Sequence, residues 1–281
     1  MYFLVQSRPI KLHETAMNDR ILAFIPAYCC AAQIPRVLKQ FADPEVHGLF
    51  DEILVVDNVS PDDTVQAALD CARAMGLGKV SVVRNQKNYG LGGSHKAAFT
   101  YAIRNGFTHV MVLHGDDQGD VKDITGVLRT GRHRDYDCCL GARFHPGAQL
   151  RGYSLLRTTG NHVYNWLFSI GSGRRLYDLG SGLNLYRTSA LQSFYWLKFH
   201  DNLMFNYCMI LAHVQRSERI LFFPISWRED DQVSNVKLFS QARRTLGILW
   251  LYVKDRTGFL SREFREVPVE SYQFETVASR L

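Results

Sequence analysis

Long apolar runs are missing from this sequence. Even the run at residues 248–253 is far shorter than the roughly 20 residues that a helix needs to cross a bilayer. The amino terminus has only a short apolar stretch at residues 2–5, with no basic segment ahead of it, so we expect no secretory signal. We therefore expect a cytoplasmic protein, or one held peripherally at the inner face of a membrane.

The cysteines lack the spacing of a metal or redox site. Six are present, including the adjacent pairs Cys29-Cys30 and Cys138-Cys139, but no Cys-x-x-Cys occurs. Zinc-binding and thioredoxin-type chemistry are therefore not predicted. Buried free thiols are the expected state of these side chains.

Basic residues are in slight excess but do not cluster. The chain has 33 Lys and Arg against 27 Asp and Glu, a net charge of +6. No basic run is long enough to indicate a nucleic-acid patch, so we expect no nucleic-acid partner. The mild excess suits an anionic ligand or an anionic membrane surface.

Strand and helix patterns alternate over about the first 140 residues. Continuous apolar runs at residues 21–25, 53–56, 80–83 and 109–113 are typical of strands buried on both faces. Strands separated by helices predict an α/β fold, a mostly parallel sheet with helices on both faces. In such sheets, ligands bind at the carboxyl ends of the strands.

The chain shows no internal repeat and no linker that would divide it. We predict one domain at residues 20–256, preceded by an extension at residues 1–19. Residues 257–281 are expected to form a polar, loosely attached tail.

Carboxylates follow two of the predicted strands. Asp57 ends the second strand, and Asp116 and Asp117 lie in the run HGDDQ that follows the fourth. Clustered carboxylates repel one another unless a cation or a hydrogen-bonded ligand is present. Mg²⁺ or Mn²⁺ would be the natural partner and would also neutralise a bound diphosphate.

A glycine-bearing segment follows the third predicted strand. Residues 88–93 read NYGLGG and precede a helix that we expect to begin at Ser94. Backbone N–H groups at a helix start can bind phosphate. The segment has neither the dinucleotide-binding fingerprint nor a Walker ending, so a glycine-rich turn without a ligand is an equal alternative.

Seven sequence blocks occur in order along the chain: FIPAY at 24–28, VVDNVSPDDT at 55–64, NYGLG at 88–92, GDDQ at 115–118, GARF at 141–144, DLGSG at 178–182 and FPISWR at 223–228. In their order and spacing, these blocks resemble the inverting family 2 glycosyltransferases, which have the GT-A fold. The later blocks resemble the branch that contains dolichyl-phosphate mannose synthase and bacterial polyprenyl-phosphate glycosyltransferases, and the resemblance covers about residues 20–250.

The resemblance implies a set of site residues. Contacts to the nucleotide-sugar are implied for Pro26, Ala27, Tyr28, Asp57, Asn88, Gly90, Asp116, Asp117, Gln118 and Arg143. Contacts to phosphate or the acceptor are implied for Ser181, Arg228 and Lys237.

Two positions depart from the family pattern. His114 stands where the family has the first acid of its DxD motif, so the implied metal ligands are Asp116 and His114. Histidine can bind manganese but supplies no negative charge. Cys29-Cys30 stands where the family often has Asn-Glu, which removes a carboxylate from the nucleotide site.

Asp201 has two interpretations. In family members with hydroxyl acceptors, an acid at this point acts as general base, and it would act here together with Asp116 as a catalytic residue. A phosphate acceptor is already anionic and needs no base. Asp201 also precedes a predicted helix and could cap it.

The predicted helix at residues 243–256 is amphipathic. Leu246, Leu249, Trp250 and Val253 share one face and are flanked by basic residues. A helix of this kind can lie in a membrane interface beside a lipid-linked acceptor. Packing in the core or against a second copy in a homo-oligomer is the more common use of such a face.

The expected function is therefore enzymatic. A nucleotide-sugar donor, UDP- or GDP-linked, would pass its sugar with metal assistance to a polyprenyl-phosphate or a glycan hydroxyl. A non-catalytic nucleotide-sugar or glycan-binding relative is the alternative. A nucleotidyltransferase is disfavoured because no glycine-rich, basic segment follows the first strand.

Overall fold

The computed structural model describes residues 19–229 and 238–281. Its centre is an eight-stranded sheet in the order β10-β3-β2-β1-β4-β7-β5-β8, beside a two-stranded sheet of β6 and β9. The strands are β1 (Ile21–Ala27), β2 (Glu52–Asp57), β3 (Val80–Asn85), β4 (His109–Leu113), β5 (Cys138–Ala142), β6 (Gln149–Arg151), β7 (Leu183–Arg187), β8 (Ile220–Pro224), β9 (Ser226–Arg228) and β10 (Phe274–Ala278).

Helices connect most of these strands. They are α1 (Ile34–Lys39), α2 (Pro44–His47), α3 (Thr64–Ala74), α4 (Gly90–Arg104), α5 (Lys122–Arg129), α6 (Leu155–Ser172), α7 (Thr188–Leu191), α8 (Phe205–Gln215), α9 (Leu238–Lys254) and α10 (Arg256–Phe259). Within the described ranges, no helix is both long and apolar enough to cross a membrane.

The predicted α/β architecture is confirmed. Strands β3, β2, β1 and β4 run parallel, with Ala27 opposite Asp57 and Leu22 opposite Val110. The sheet becomes mixed beyond β4, because β7 runs antiparallel to both β4 and β5. The carboxyl ends of β1, β2 and β4 therefore lie along one edge of the sheet.

The sheet separates two apolar cores. Side chains alternate across a strand, so β1 contributes Leu22 and Phe24 to one core and Ala23 and Ile25 to the other. The first core includes residues of α4, α8 and α9, and the second includes residues of α1 and α3. Burial on both faces explains why β1 is an uninterrupted apolar run.

The expectation of a loosely attached tail is wrong. Strand β10 pairs antiparallel with β3, Phe274 opposite Asn85 and Thr276 opposite Val83, and forms the edge of the main sheet. Tyr272, just before this strand, is buried against Tyr89. The polar sequence reflects an edge strand whose middle residues, 275–277, are all exposed, and apolar periodicity alone does not reveal such a strand.

Candidate active site

A cavity of about 350 Å³ opens where β1, β2 and β4 end. Several residues implied by the sequence resemblance meet in its wall. They are Pro26, Ala27, Tyr28, Asn88, Gly90, His114 and Asp116. This is the ligand-binding edge that the parallel sheet predicts.

Asp116 and His114 are the acid–imidazole pair of the cavity. The Oδ1 atom of Asp116 accepts a hydrogen bond from the Gln118 backbone N–H at 3.2 Å, and its Oδ2 lies 4.0 Å from His114 Nδ1. Burial, followed by the nearby Arg143 guanidinium, lowers the pKa of His114 to about 4. The imidazole is therefore neutral at pH 7 and can offer a nitrogen lone pair.

The surroundings of His114 hold its ring in place. A Cβ at Gly182 would lie 2.9 Å from the ring Cγ, and the His114 N–H donates to the Gly182 carbonyl at 3.0 Å. His114 Nε2 is buried and has no hydrogen-bond partner among the residues that the structure describes. Mg²⁺ and Mn²⁺ sites commonly combine one or two protein ligands with substrate phosphates, so this pair fits a cation shared with a diphosphate.

The other two strand-end acids do not line the cavity, contrary to expectation. Asp57 is fully buried, where its two carboxylate oxygens share the Ser60 backbone N–H at 3.2 Å and Oδ2 lies 3.3 Å from Arg84 Nε. Asp117 has a left-handed backbone and pairs with Arg36 Nε at 2.6 Å and with Arg228. Each of these carboxylates is paired with arginine, and neither is in the wall of the cavity.

Arg143 and Ser181 also have structural partners. Arg143 makes a two-point contact with Asp178, through Nε and Nη2 at 2.8 Å each, and lies 5.1 Å from the Trp227 ring centre. The buried Ser181 hydroxyl donates to the Leu183 carbonyl. Both residues fix the segment at 178–182 on which His114 rests, instead of reaching into the cavity.

The remaining sequence-predicted residues lie beside the cavity or outside the described chain. Arg228 donates from Nε to the Asp117 carbonyl at 2.7 Å, and its backbone N–H donates to the Gln118 carbonyl at 3.0 Å. Gln118 thus joins Asp116 to β9. Lys237 lies outside the residues that the structure describes.

The glycines at residues 90–93 belong to the first turn of α4, which begins before the expected Ser94. A Cβ at Gly90 would lie 2.4 Å from the Asp201 carbonyl, and one at Gly92 would lie 2.4 Å from the His200 carbonyl. The Gly93 N–H donates to the Asp201 carbonyl at 3.2 Å. These glycines allow the first turn of α4 to contact the backbone at residues 200–201. This packing favours the alternative of a glycine-rich turn without a ligand over a phosphate-binding segment.

Asp201 is held by an ion pair with a fully buried lysine. The fully buried Lys96 ammonium donates to Asp201 Oδ1 at 2.7 Å, to the Phe199 carbonyl at 2.5 Å and to the Tyr272 hydroxyl at 3.1 Å. Tyr272 in turn donates to Asp201 Oδ1 at 2.6 Å. Asp201 is not the cap of α8, whose N-cap residue is Met204.

A second cavity of about 320 Å³ adjoins the first. Asn88 and Gly90 line both cavities, and Asp201 lines the second together with Glu266 and Val267 of the carboxyl-terminal segment. Asp201 therefore lies in the wall of the second cavity, which shares Asn88 and Gly90 with the main one.

Sequence reasoning missed an amide network at the cavity. Asn58 donates to the Asn88 side chain at 2.7 Å and accepts from Asn85 and from the Tyr89 N–H at 2.9 Å each. Asn58 and Ser94 both line the cavity. The position of Asn58, directly after the β2 carboxylate, was the available signal. Nothing in the sequence singles out Lys96 or Tyr272, since each acts through a distant partner.

A separate cluster of ionisable groups lies at the opposite end of the strands. Asp19, His109 and His133 place ligand-type atoms within 4.8 Å of one another, but they lie at the amino ends of β1 and β4. Arg134 already donates to Asp19 at 2.8 Å. This cluster is remote from the cavity and cannot supply a metal ligand there.

Comparison with known proteins agrees with this geometry. A family model described as "Glycosyl transferase family 2" matches residues 23–199. The chain is 27% identical to polyprenol monophosphomannose synthase of Mycolicibacterium smegmatis over 181 residues, covering 62% of this chain and 64% of that protein. It is also 27% identical to undecaprenyl-phosphate mannosyltransferase of Micrococcus luteus, covering 62% of this chain and 69% of that protein.

Solved structures are similar in fold. Glucosyl-3-phosphoglycerate synthase from Mycobacterium tuberculosis, solved with Mn²⁺, uridine diphosphate and phosphoglyceric acid, gives a TM-score of 0.59 at 16% identity over 93% of this chain and 87% of that chain. At this identity the likeness shows the fold alone, which is GT-A. Because the family model matches well over half of the sequence, the chain belongs to glycosyltransferase family 2.

Proposed function

We propose that this family 2 member transfers a sugar, with inversion, from a UDP- or GDP-linked donor to a polyprenyl phosphate. The donor half of the proposal is supported by Asp116, the carboxylate that faces the strand-end cavity. The acceptor half is supported by the ion pair of Asp201, and by relatives named for polyprenol and undecaprenyl-phosphate mannose transfer.

The nucleotide would lie along Pro26, Ala27 and Tyr28, with the diphosphate directed toward Asp116. The Asp116 carboxylate and the neutral His114 imidazole would hold Mg²⁺ or Mn²⁺. A bound cation would act as a Lewis acid that neutralises the leaving diphosphate. The amide network of Asn58 and Asn88 would hold the adjoining wall in one arrangement.

The environment of Asp201 favours an acceptor that needs no base. Its Oδ1 already accepts hydrogen bonds from a buried ammonium and from Tyr272. A carboxylate engaged in this way is suited to holding the loop at 200–202 in position, because removing it would leave a buried Lys96 charge unpaired. A polyprenyl phosphate brings its own anionic oxygen.

In the proposed step, an acceptor phosphate oxygen forms a bond to the anomeric carbon of the sugar. The bond from that carbon to the donor's β-phosphate oxygen breaks, and the nucleoside diphosphate leaves with the electron pair. No proton has to be removed from the acceptor. The protein's contribution is alignment of the two phosphates and stabilisation of charge on the leaving group.

Replacing Asp116 or Asp201 by asparagine tests the donor and the acceptor parts of the proposal separately. Asp116→Asn is expected to lower transfer at least about 100-fold, because it removes the carboxylate that would hold the cation neutralising the leaving diphosphate. Asp201→Asn is expected to keep activity within about tenfold on undecaprenyl phosphate. Asp70→Asn, on the exposed face of α3, is the control. The measurement is release of UDP or GDP with Mg²⁺ or Mn²⁺, using undecaprenyl phosphate and a glycan hydroxyl in parallel.

Two results would contradict the proposal. Transfer only to the hydroxyl acceptor, abolished by Asp201→Asn while folding is intact, would make Asp201 a base and the acceptor a glycan. A chain that neither binds nor turns over any nucleotide-sugar would be a non-catalytic relative.

A further inference from the structure

Large apolar side chains are exposed mainly on two helices. Within the described residues, α6 exposes Leu155, Val163, Trp166 and Ile170, with exposed fractions from 50% to 86%. Helix α9 exposes Leu246, Trp250 and Val253, with exposed fractions from 40% to 58%. Single exposed apolar residues are common in soluble proteins, whereas a group on adjoining helices indicates an interaction site.

The exposed residues form one stripe on each helix. On α6 they are separated by eight, three and four positions, and on α9 by four and three, which keeps each set on one helical face. The expected inclusion of Leu249 in this face is wrong, because Leu249 is buried in the core.

The two stripes adjoin. A Cβ at Gly171 of α6 would lie 2.7 Å from Leu249 and 3.3 Å from Val253 of α9, and Arg256 donates to the Gly171 carbonyl at 2.7 Å. Gly171, which follows Ile170 in α6, therefore lies against Val253 of the α9 stripe. We refer to the seven exposed residues of α6 and α9 together as the α6–α9 surface.

The charge beside this surface is positive. Neither helix contains an Asp or a Glu. Arg243 and Lys254 are exposed on the same side of α9 as its stripe, and the Lys254 ammonium lies 4.6 Å from the Trp250 ring centre. Tryptophans at the edge of an apolar face, bordered by arginine and lysine, match the chemistry of the bilayer interface.

We propose that the α6–α9 surface docks on an anionic phospholipid bilayer. The apolar stripes insert at the boundary between headgroups and acyl chains, and the cations of α9 meet the anionic headgroups. A second copy of the chain is a weaker match, because two such surfaces would bring their cations together.

Docking there would place the membrane next to the candidate site. The buried Thr245 hydroxyl of α9 contacts the Met204 sulfur at 3.8 Å, one residue from Leu203, which lines the main cavity. The Asn165 side chain of α6 donates to the Tyr177 carbonyl at 2.7 Å, next to Asp178. The functional use of docking, delivery of a lipid-linked phosphate, rests on the proposed function, whereas the docking itself does not.

Vesicle co-sedimentation of the full chain tests the docking. Vesicles of phosphatidylcholine with about 30% phosphatidylglycerol are compared with phosphatidylcholine alone. We expect the anionic vesicles to bind at least tenfold more tightly, with binding that weakens as salt is raised. The exposed Trp166 and Trp250 should shift the tryptophan emission to shorter wavelength on binding.

Two variants separate the apolar from the electrostatic contribution. Trp166→Ser with Trp250→Ser should abolish sedimentation with vesicles. Arg243→Gln with Lys254→Gln should weaken binding to anionic vesicles about 30-fold. The control is Phe194→Ser with Val277→Ser, which alters exposed apolar residues elsewhere and should bind like the unaltered chain.

The proposal is overturned if the unaltered chain does not bind anionic vesicles. It is also overturned if the tryptophan variant binds equally well, or if that variant only converts a dimer to a monomer in sedimentation velocity. Failure of the proposed function is distinguishable, because nucleotide-sugar turnover is measured in detergent without vesicles. A chain that binds vesicles but does not turn over nucleotide-sugar would support the docking of the α6–α9 surface and contradict the proposed function.

Discussion

Lys96 is a fully buried ammonium whose three contacts all lie far away in sequence. Burial lowers its pKa to about 8, against the opposing effect of Asp201, so it remains largely charged at pH 7. It joins α4 to the segment before α8 and to the carboxyl-terminal segment through Tyr272. Asp201 therefore depends on two elements that neither motif nor periodicity connects.

Replacing Lys96 tests this connection. Lys96→Met is expected to lower the free energy of unfolding by about 2 kcal/mol, because the partly buried Asp201 carboxylate loses its cation and the Tyr272 hydroxyl loses the donor that it accepts from. Urea denaturation followed by circular dichroism gives the value. Lys39→Met, on the exposed face of α1, is the control and should change it by less than about 0.5 kcal/mol. Equal losses of stability in Lys96→Met and Lys39→Met would contradict the structural role of the pair formed by Lys96 and Asp201.

His109 predicts a pH dependence of stability. Burial, followed by the nearby His133, lowers its pKa from 6.5 to about 4. The folded pKa lies below the unfolded one, so the contribution is fully present above about pH 6.5 and is lost as the pH falls toward 4. From pH 7 to pH 5 this loss amounts to about 2 kcal/mol for one residue.

The measurement is the free energy of unfolding at several pH values between 7 and 5. His109→Gln should show a flatter pH dependence than the unaltered chain, whereas His162→Gln, an exposed residue of α6, should not. Parallel curves for His109→Gln and the unaltered chain would show that His109 does not titrate as described.

At the scale of elements, the first turn of α4 packs closely against the loop at 200–202. Gly92→Ala is expected to lower stability by about 3 kcal/mol and to raise the KM for the donor. The added Cβ would lie 2.4 Å from the His200 carbonyl and 2.7 Å from Phe205. It would displace the loop at 200–202, which precedes Leu203 in the wall of the main cavity. Thermal unfolding and donor kinetics are the measurements.

Gly126→Ala is the matched control, because a Cβ there meets nothing within 4 Å on α5. It should raise stability by about 0.5–1 kcal/mol through helix propensity. A Gly92→Ala protein as stable as the unaltered chain would mean that the loop at 200–202 does not rest on α4 in solution.

At the scale of the whole molecule, β10 closes one edge of the main sheet. Deleting residues 263–281 eliminates the pairing of β10 with β3. It also eliminates the hydrogen bonds of the Tyr272 hydroxyl with Lys96 and Asp201. We expect the Tm to fall by about 10 °C or more and the newly exposed edge to promote aggregation. Calorimetry and light scattering measure both effects.

Changing only the exposed side chains of β10 should have little effect. Glu275→Ala with Val277→Ala retains the backbone pairing with β3 and is the control. A deletion variant that melts together with this control would show that residues 263–281 are dispensable, as the sequence alone suggested.

The sequence by itself determined the α/β class, the ligand-binding edge of the sheet and the place of Asp116 in it. These follow from local information, because a strand buried on both faces is a continuous apolar run and its carboxyl end is marked by the next polar residues. The amphipathic character of α9 was visible in the same way.

Only the tertiary structure decided which strand-end groups face the cavity and which are neutralised. Asp57, Asp117 and Arg143 look as suited to binding a ligand as Asp116 does, yet ion pairs with distant residues turn them away from the cavity. It also placed Tyr272 beside Asp201 and brought α6 against α9. Such contacts join residues far apart in the chain, and a local sequence pattern does not identify a contact partner that is distant in sequence.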